Sequence, residues 1–326
     1  MAEKLVDIRN LHVEYRTDTD TVYALNGINL TIDKGETLGI VGETGAGKTT
    51  LALSLLRLLP DRVGVVTQGS IHYDGRDVMA ADKKELIQLR GAKIAMIFQD
   101  PMTALNPILK VGDQILEVLN LHEQDKSAAE KDKRVDEIMQ LIGIPAARKS
   151  EFPHQFSGGM KQRIGIAMAL IAEPELLLAD EPTTALDVTI QAQILQLMRE
   201  LKEKFNSAMV LITHDLGVVA EFCENVAIIY SGEIIERGTV EQVFSREENH
   251  PYTVGLFNSI PCMTGHTDRL VPIAGHMPDP THLPTGCKFT ERCPHCMEKC
   301  KTQAPPVFET DGHQIKCFLY EKGRGD

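Results

Sequence analysis

The run Gly42-Glu43-Thr44-Gly45-Ala46-Gly47-Lys48-Thr49 limits the fold more than any other stretch of the chain. It matches Gly-x4-Gly-Lys-Ser/Thr in full. Glycines at these positions let backbone N–H groups converge on an anion, and a helix that starts there points its positive end at the same spot. The apolar run Thr37–Val41 in front predicts a buried strand, and the sequence behind predicts a helix from about Lys48 to Leu59. A loop of this composition between a strand and a helix is a phosphate cradle. Its expected nucleotide contacts are Gly42, Glu43, Thr44, Gly45, Ala46, Gly47, Lys48, Thr49 and Thr50. Lys48 is the residue type to bridge the β- and γ-phosphates of ATP, and the Thr49 hydroxyl the type to ligate Mg²⁺. The alternative, a glycine-rich turn that binds nothing, does not explain the strand-loop-helix setting.

Elsewhere, apolar and polar residues alternate over Val6–Tyr15 and Ala24–Ile32, which predicts strands. Two more apolar runs, Leu176–Ala179 and Met209–Ile212, predict buried strands around a helix from about Thr189 to Lys204. Helical spacing over Asp113–Ile142, with charged breaks near Glu123 to Arg134, marks a helical insertion. Strands alternating with helices imply a mostly parallel sheet covered on both faces. With 326 residues, 25% charged and 43% hydrophobic, the chain has room for a large domain and a small one. A net charge of −12 argues against nucleic-acid binding, which needs a basic face. No apolar run approaches the roughly 18 residues of a membrane span, and the first residues lack the layout of a signal peptide. Any membrane association is therefore expected to run through partner proteins, with the chain on the cytosolic side.

Two carboxylates, Asp180 and Glu181, end the strand Leu176–Ala179. Ligands of parallel sheets bind beyond the carboxyl ends of strands. Beside a phosphate loop, Asp180 is expected to hold the Mg²⁺ shell and Glu181 to polarise the attacking water. A strand end with two solvated acids is the alternative.

The stretch Phe156-Ser157-Gly158-Gly159-Met160 resembles the signature of the ABC family, commonly Leu-Ser-Gly-Gly-Gln. Ser157, Gly158 and Gly159 precede an expected helix from about Met160 to Ala172 and make a second anion site. Phe156 and Met160 depart from the common pattern. In family order, Gln99 looks like the Q-loop glutamine, Asp187 in Thr184-Ala185-Leu186-Asp187 like the D-loop at the dimer interface, and His214 like the switch histidine. Tyr15 stands where the family places an aromatic against adenine. Taken singly, each of these could be an ordinary hydrogen-bonded or half-buried residue. The resemblance implies a P-loop ATPase core with a mixed α/β sheet over residues 1–250 and a helical subdomain at about 100–172. It implies that Glu181, His214 and Gln99 are catalytic. It also implies a sandwich in which Ser157, Gly158 and Gly159 close on the ATP held by a second ATPase subunit.

Within the family, the run from Gln99 to Pro107 resembles the Q-loop of peptide-importer ATPases. Asn249-His250-Pro251-Tyr252-Thr253 and the run from Leu256 to Pro261 resemble the start of the C-terminal extension in the same di- and oligopeptide branch. The frequent prolines after residue 250 read as a linker into a small, irregular, cysteine-rich module, 251–326. This branch implies two transmembrane permease subunits, an extracytoplasmic substrate-binding protein and a place at the cytoplasmic membrane. Relatives also carry nickel chelates, glutathione or oligosaccharides. The resemblance sets Cys287, Cys293, Cys300 and Cys317 as the ligands of a [4Fe–4S] cluster, with Cys296 extra. Zn²⁺ is an alternative, because Cys293-x2-Cys296 has zinc-like spacing, and free thiols are a third reading. Rival functions are a DNA-repair or translation ATPase, a metal-sensing regulator and an exporter. Against the first stand the absence of a long coiled-coil insertion and the single phosphate loop. The retained Glu181 and His214 oppose the second, and the lack of a membrane span opposes the third.

Overall fold

A computed structural model describes residues 3–100, 104–184, 186–245, 248–259 and 272–321. Its elements in chain order begin with β1 (Lys4–Arg16), β2 (Thr21–Asp33), β3 (Thr37–Val41), α1 (Lys48–Leu55), β4 (Gly64–Tyr73) and β5 (Arg76–Asp77). There follow α2 (Lys83–Leu89), β6 (Ile94–Ile97), α3 (Val111–His122), α4 (Ala128–Leu141), α5 (Gly158–Leu170), β7 (Leu176–Asp180), α6 (Val188–Phe205) and β8 (Ala208–Thr213). The last part holds α7 (Leu216–Phe222), β9 (Asn225–Tyr230), β10 (Glu233–Thr239), α8 (Val240–Ser245), α9 (Pro251–Asn258), α10 (Glu298–Thr302), β11 (Phe308–Thr310) and β12 (His313–Ile315).

The chain divides into two compact units. One comprises Met1–Leu5, Ile32–Thr37 and Ala80–Ile212. Here β6, β7 and β8 run parallel in register, Ile94 opposite Leu176 and Leu176 opposite Ala208. All five residues of β7 and all six of β8 are buried, as the unbroken apolar runs predict for strands covered on both faces. Against α5 pack α3, α4 and α6. The first of these buries Val111, Ile115 and Leu119, and α4 buries Val135, Ile138 and Met139. The charged run expected to break this region does so only between His122 and Ala128. Ser127 starts α4 with a reciprocal capping box to Glu130, and most of the charge rides on the exposed side of that helix.

The other unit comprises Val6–Thr31, Leu38–Met79 and Thr213–Asp326. One of its sheets has the order β2-β1-β4-β5, with β1 and β4 antiparallel. The other has the order β11-β12-β10-β9-β3, with β3 and β9 parallel and the remaining pairs antiparallel. The hairpin β11–β12 pairs with β10 through Glu236 and Ile315, so the C-terminal segment extends the sheet whose β3 leads into the phosphate loop. Helix α1 ends at Leu55, four residues short of expectation. Arg57 takes a positive φ of 48° there, a conformation that stops a right-handed helix. Residues after 250, expected as linker, instead begin with α9. Its Pro251 sits in the first turn, where no backbone N–H is needed, and His250 caps it through Nδ1 to the Tyr252 N–H at 3.0 Å. Pro101, Met102 and Thr103 of the Q-loop run, Ala185, Pro261 and Cys262 lie outside the described residues.

Candidate functional site

The phosphate loop is shaped by its glycines. A side chain on Gly42 would come within 2.2 Å of the Ile229 carbonyl oxygen. Gly47 has φ 104° and would thrust a Cβ to 2.7 Å from the Ala24 carbonyl. Backbone and steric limits together reserve both positions for glycine. Gly47 is the N-cap of α1, whose first turn holds no acidic residue, so the positive end of the helix is left uncompensated toward the loop. Lys48 is buried and its Nζ donates to the carbonyls of Gly42 at 2.7 Å and Glu43 at 3.1 Å. Tyr15 and Thr50 join hydroxyl to hydroxyl at 3.1 Å, which ties the aromatic to the first turn of α1. His214, directly after β8, is exposed in the same unit.

In the other unit Asp180 is buried at the end of β7, and Glu181 follows with a positive φ of 46°. A glutamate in the left-handed region is strained, and such strain concentrates at functional sites. Its N–H donates to the Ile212 carbonyl at 2.8 Å, which fixes the bend. Glu181 Oε2 accepts from Gln99 Nε2 at 2.9 Å and from Thr184 Oγ1 at 2.9 Å. Two residues singled out 82 positions apart thus meet, and Thr184 emerges as a third member of the cluster. Ser157 is exposed and caps α5 by accepting from the Met160 N–H at 3.4 Å. Asp187, also exposed, caps α6 by accepting from the Ile190 N–H at 3.0 Å. A Cβ on Gly159 would meet Ile190 Cγ2 at 2.8 Å, so a glycine is what lets the starts of α5 and α6 pack closely. Phe156, which departs from the common leucine, stacks against a cation, the Arg148 guanidinium lying 4.4 Å from its ring centre.

Of the six free cysteines among the described residues, Cys223 lies outside the C-terminal segment and five, Cys287, Cys293, Cys296, Cys300 and Cys317, lie within it; Cys287, Cys293, Cys300 and Cys317 share one environment. Burial first, then the neighbouring Cys317, Cys300 and Cys293, push the Cys287 thiol up to about 12. Burial likewise raises Cys293 to about 11, with Cys317, Cys296 and Cys300 adding to it. Cys317 is raised by burial and by Cys300. Cys296 is exposed, and its Sγ lies 3.1 Å from Thr290 Oγ1. Among the described residues, no group of three or more His, Cys, Asp or Glu side chains is arranged to hold a metal ion. No described helix is long and apolar enough to cross a membrane.

A glycine loop opening a helix, a strand ending in Asp-Glu and a capped Ser-Gly-Gly helix define the class of ABC-type ATPases. An ABC transporter family description matches residues 25–184, and the oligopeptide/dipeptide transporter C-terminal region matches residues 235–300. The oligopeptide transport ATP-binding protein AppD of Bacillus subtilis is 44% identical over 98% of this chain and 97% of its own length. OppD of Escherichia coli, described in the same terms, is 46% identical over 97% and 94%. The dimeric ATP-binding cassette MJ0796, solved with ADP and Pi, superposes with a TM-score of 0.64 at 30% identity, covering 72% of this chain and 98% of that one. This chain belongs to the family of oligopeptide and dipeptide transport ATP-binding proteins. It is a transport ATPase with the ABC fold.

Proposed function

We propose that the chain is one of two ATPase subunits driving a di- or oligopeptide importer from the cytoplasmic face of the cell membrane. The observation that carries the reading is the pairing of Glu181 with Gln99 in a unit that also exposes Ser157 and Asp187 at helix starts. The first pair suits hydrolysis, and the exposed helix starts suit a nucleotide held by another subunit. In this reading the backbone of Gly42–Thr49 and the Lys48 ammonium bind the triphosphate, and Tyr15 stacks on the adenine. Glu181 accepts a proton from the attacking water, Gln99 orients that carboxylate, and His214 contacts the γ-phosphate. Ser157, Gly158 and Gly159 complete the partner's site, and Asp187 lies at the interface. Closure of two such subunits around two nucleotides pulls the transmembrane permease subunits between states, and hydrolysis releases them. An extracytoplasmic binding protein delivers the cargo.

Mg²⁺ needs only one or two protein oxygens besides phosphate, and the Thr49 hydroxyl, the Asp180 carboxylate and the Gln99 amide oxygen are donors of that kind. The chemistry of Cys287, Cys293, Cys300 and Cys317, four soft sulfur donors in one partly buried environment, fits an iron–sulfur cluster. Zn²⁺ on the same four thiolates is the alternative, and the metal content of the protein distinguishes the two. When bound, the cluster would cross-link the segment and supply a one-electron redox centre.

The test is purification of the tagged chain from native membranes in mild detergent, paired with uptake of a labelled tripeptide by cells lacking the gene. Two polytopic permease subunits, a second ATPase and lost uptake support the reading. Recovery without membrane partners, or normal peptide uptake, overturns it. Iron and acid-labile sulfide in equal amounts in anaerobically purified protein support the cluster, and zinc in their place overturns it.

A further inference from the structure

Arg292 belongs to the cysteine-rich segment, one residue before Cys293, yet its side chain ends at the phosphate loop. Its Nη1 donates to Glu43 Oε2 at 3.0 Å across a separation of 249 residues. Contacts to the Tyr230 hydroxyl at 3.4 Å and the Ala274 carbonyl at 3.0 Å fix the guanidinium from other sides. Its side chain is only 5% exposed, and the rings of Tyr230 and Phe289 lie 5.8 and 5.9 Å from its central carbon. A second tether lies next to the first. The Glu43 backbone N–H donates to the Tyr252 hydroxyl at 3.0 Å, and Tyr252 is buried against Tyr230 and Phe289. Glu43 is therefore gripped by side chain and by backbone, in both cases from the C-terminal part of the chain.

Glu43 poses an electrostatic problem. It is the second residue of a loop built to hold a triphosphate, and its carboxylate is only 31% exposed. An unpaired negative charge within several ångströms of the phosphates, poorly screened by solvent, would weaken their binding on the order of ten-fold. A guanidinium in direct contact removes that repulsion and is the cation that stays charged at every physiological pH.

We propose that Arg292 is a positioning residue of the nucleotide site: by pairing with Glu43 it sets the affinity of the phosphate loop for triphosphate, which makes the C-terminal segment a working part of that site. The inference rests on the reading that Gly42–Thr50 binds ATP. It assigns the arginine no contact with the nucleotide; it acts through Glu43.

The experiment measures equilibrium binding of a fluorescent, non-hydrolysable ATP analogue and of the matching AMP analogue to the full chain. The variants are Arg292→Met, Glu43→Gln, the double variant, and Lys48→Ala as the control. Arg292→Met should weaken binding of the triphosphate roughly ten-fold and of the monophosphate by less, because the repulsion scales with phosphate charge. Adding Glu43→Gln should restore triphosphate binding to within about three-fold of wild type, since the carboxylate causing the loss is gone. Glu43→Gln alone, which keeps an amide oxygen for Arg292 Nη1 to donate to and leaves the backbone N–H groups of the loop unchanged, should bind triphosphate at least as tightly as wild type. Wild-type affinity in Arg292→Met, no rescue in the double variant, or weakened binding in Glu43→Gln would each overturn the proposal; if Arg292→Met does not fold, Glu43→Gln decides. Undiminished binding in Lys48→Ala would instead refute the loop as the nucleotide site.

Discussion

The phosphate loop and the acidic strand end perform their work by different means. Within the loop several bonds are local, since Lys48 reaches carbonyls five and six residues back and the Ala46 N–H donates to the Glu43 carbonyl three residues back, while Tyr252 and Arg292 hold Glu43 from far along the chain. In the proposed reading the groups aimed at phosphate are backbone N–H groups together with the Lys48 ammonium, so most other side chains matter where they must be absent. At the strand end the group proposed to act on water is a single carboxylate. Glu181 takes its orientation from Thr184 nearby and from Gln99, 82 residues away. A site built largely from backbone is most sensitive to a Cβ in the wrong place and to the loss of its few charged side chains. A site built from one side chain stands or falls with that group.

The sharpest way to break this contrast is to compare Glu181→Gln with Lys48→Ala. The glutamine keeps an oxygen to accept from Gln99 and Thr184 but can no longer take a proton. Turnover should fall by about 10²–10⁴, the usual contribution of a general base, with nucleotide binding retained. Lys48→Ala should instead lose binding, roughly 10- to 100-fold for a charge-assisted contact to phosphate. Steady-state ATPase rates and equilibrium binding on both variants decide the matter. If Glu181→Gln binds as poorly as Lys48→Ala, the two regions are not doing separate jobs.

Gly47→Ala comes next. A left-handed alanine costs about 1–2 kcal/mol before the clash with the Ala24 carbonyl is counted. Because the distortion falls on the N-cap of α1, nucleotide affinity should drop at least about ten-fold. An alanine variant that binds normally would mean that the loop's conformation is not set by its glycines. The third test is smaller. Gln99→Ala removes the hydrogen bond from its amide to the Glu181 carboxylate, and a bond to a charged group contributes roughly 1.5–3 kcal/mol in a buried site and less at an exposed one. The ATPase rate should fall by a few-fold to about ten-fold, with unchanged affinity for nucleotide.

The contrast also explains what could be read from the sequence. The loop's backbone was legible because glycine is the residue that fits Gly42 and Gly47, and the bonds of Lys48 close within the motif. The strands β3, β7 and β8 were legible as unbroken apolar runs. Gln99, by itself, is one glutamine among many; the resemblance selected it, and the bond to Glu181 spans too long a loop for spacing to reveal. Thr184 was passed over as part of the D-loop run, although a hydroxyl three residues after a bent glutamate is a signal that could have been used. Arg292 and Tyr252 were missed as neighbours of the phosphate loop because nothing local ties residues 209 or 249 positions apart. Helix α9 was missed because Pro251 read as a break, when at the first turn it marks a start.

Non-local satisfaction recurs in the C-terminal segment, where it supports the fold. Glu236 is buried and accepts from Asn249 Nδ2 at 2.6 Å, the His250 N–H at 2.8 Å, the Thr253 hydroxyl and His313 Nε2 at 2.9 Å. His250 is enclosed beside it, and burial lowers its pKa from 6.5 to about 3, which keeps the ring neutral and its Nδ1 able to cap α9. In the unfolded chain this histidine binds a proton as pH drops through 6.5, whereas in the folded chain it does so only near 3. Stability from the neutral ring is therefore complete above pH 6.5 and is lost progressively between 6.5 and about 3, at up to about 1.4 kcal/mol per pH unit. His250→Asn keeps an acceptor at the cap and removes the titration. Urea midpoints measured from pH 7 to pH 4 should fall less steeply in this variant than in the wild type, because titration of the other groups acts on both alike. Equal slopes would mean that His250 takes up its proton as readily in the folded chain as in the unfolded one, so that burial of the ring does not hold it neutral.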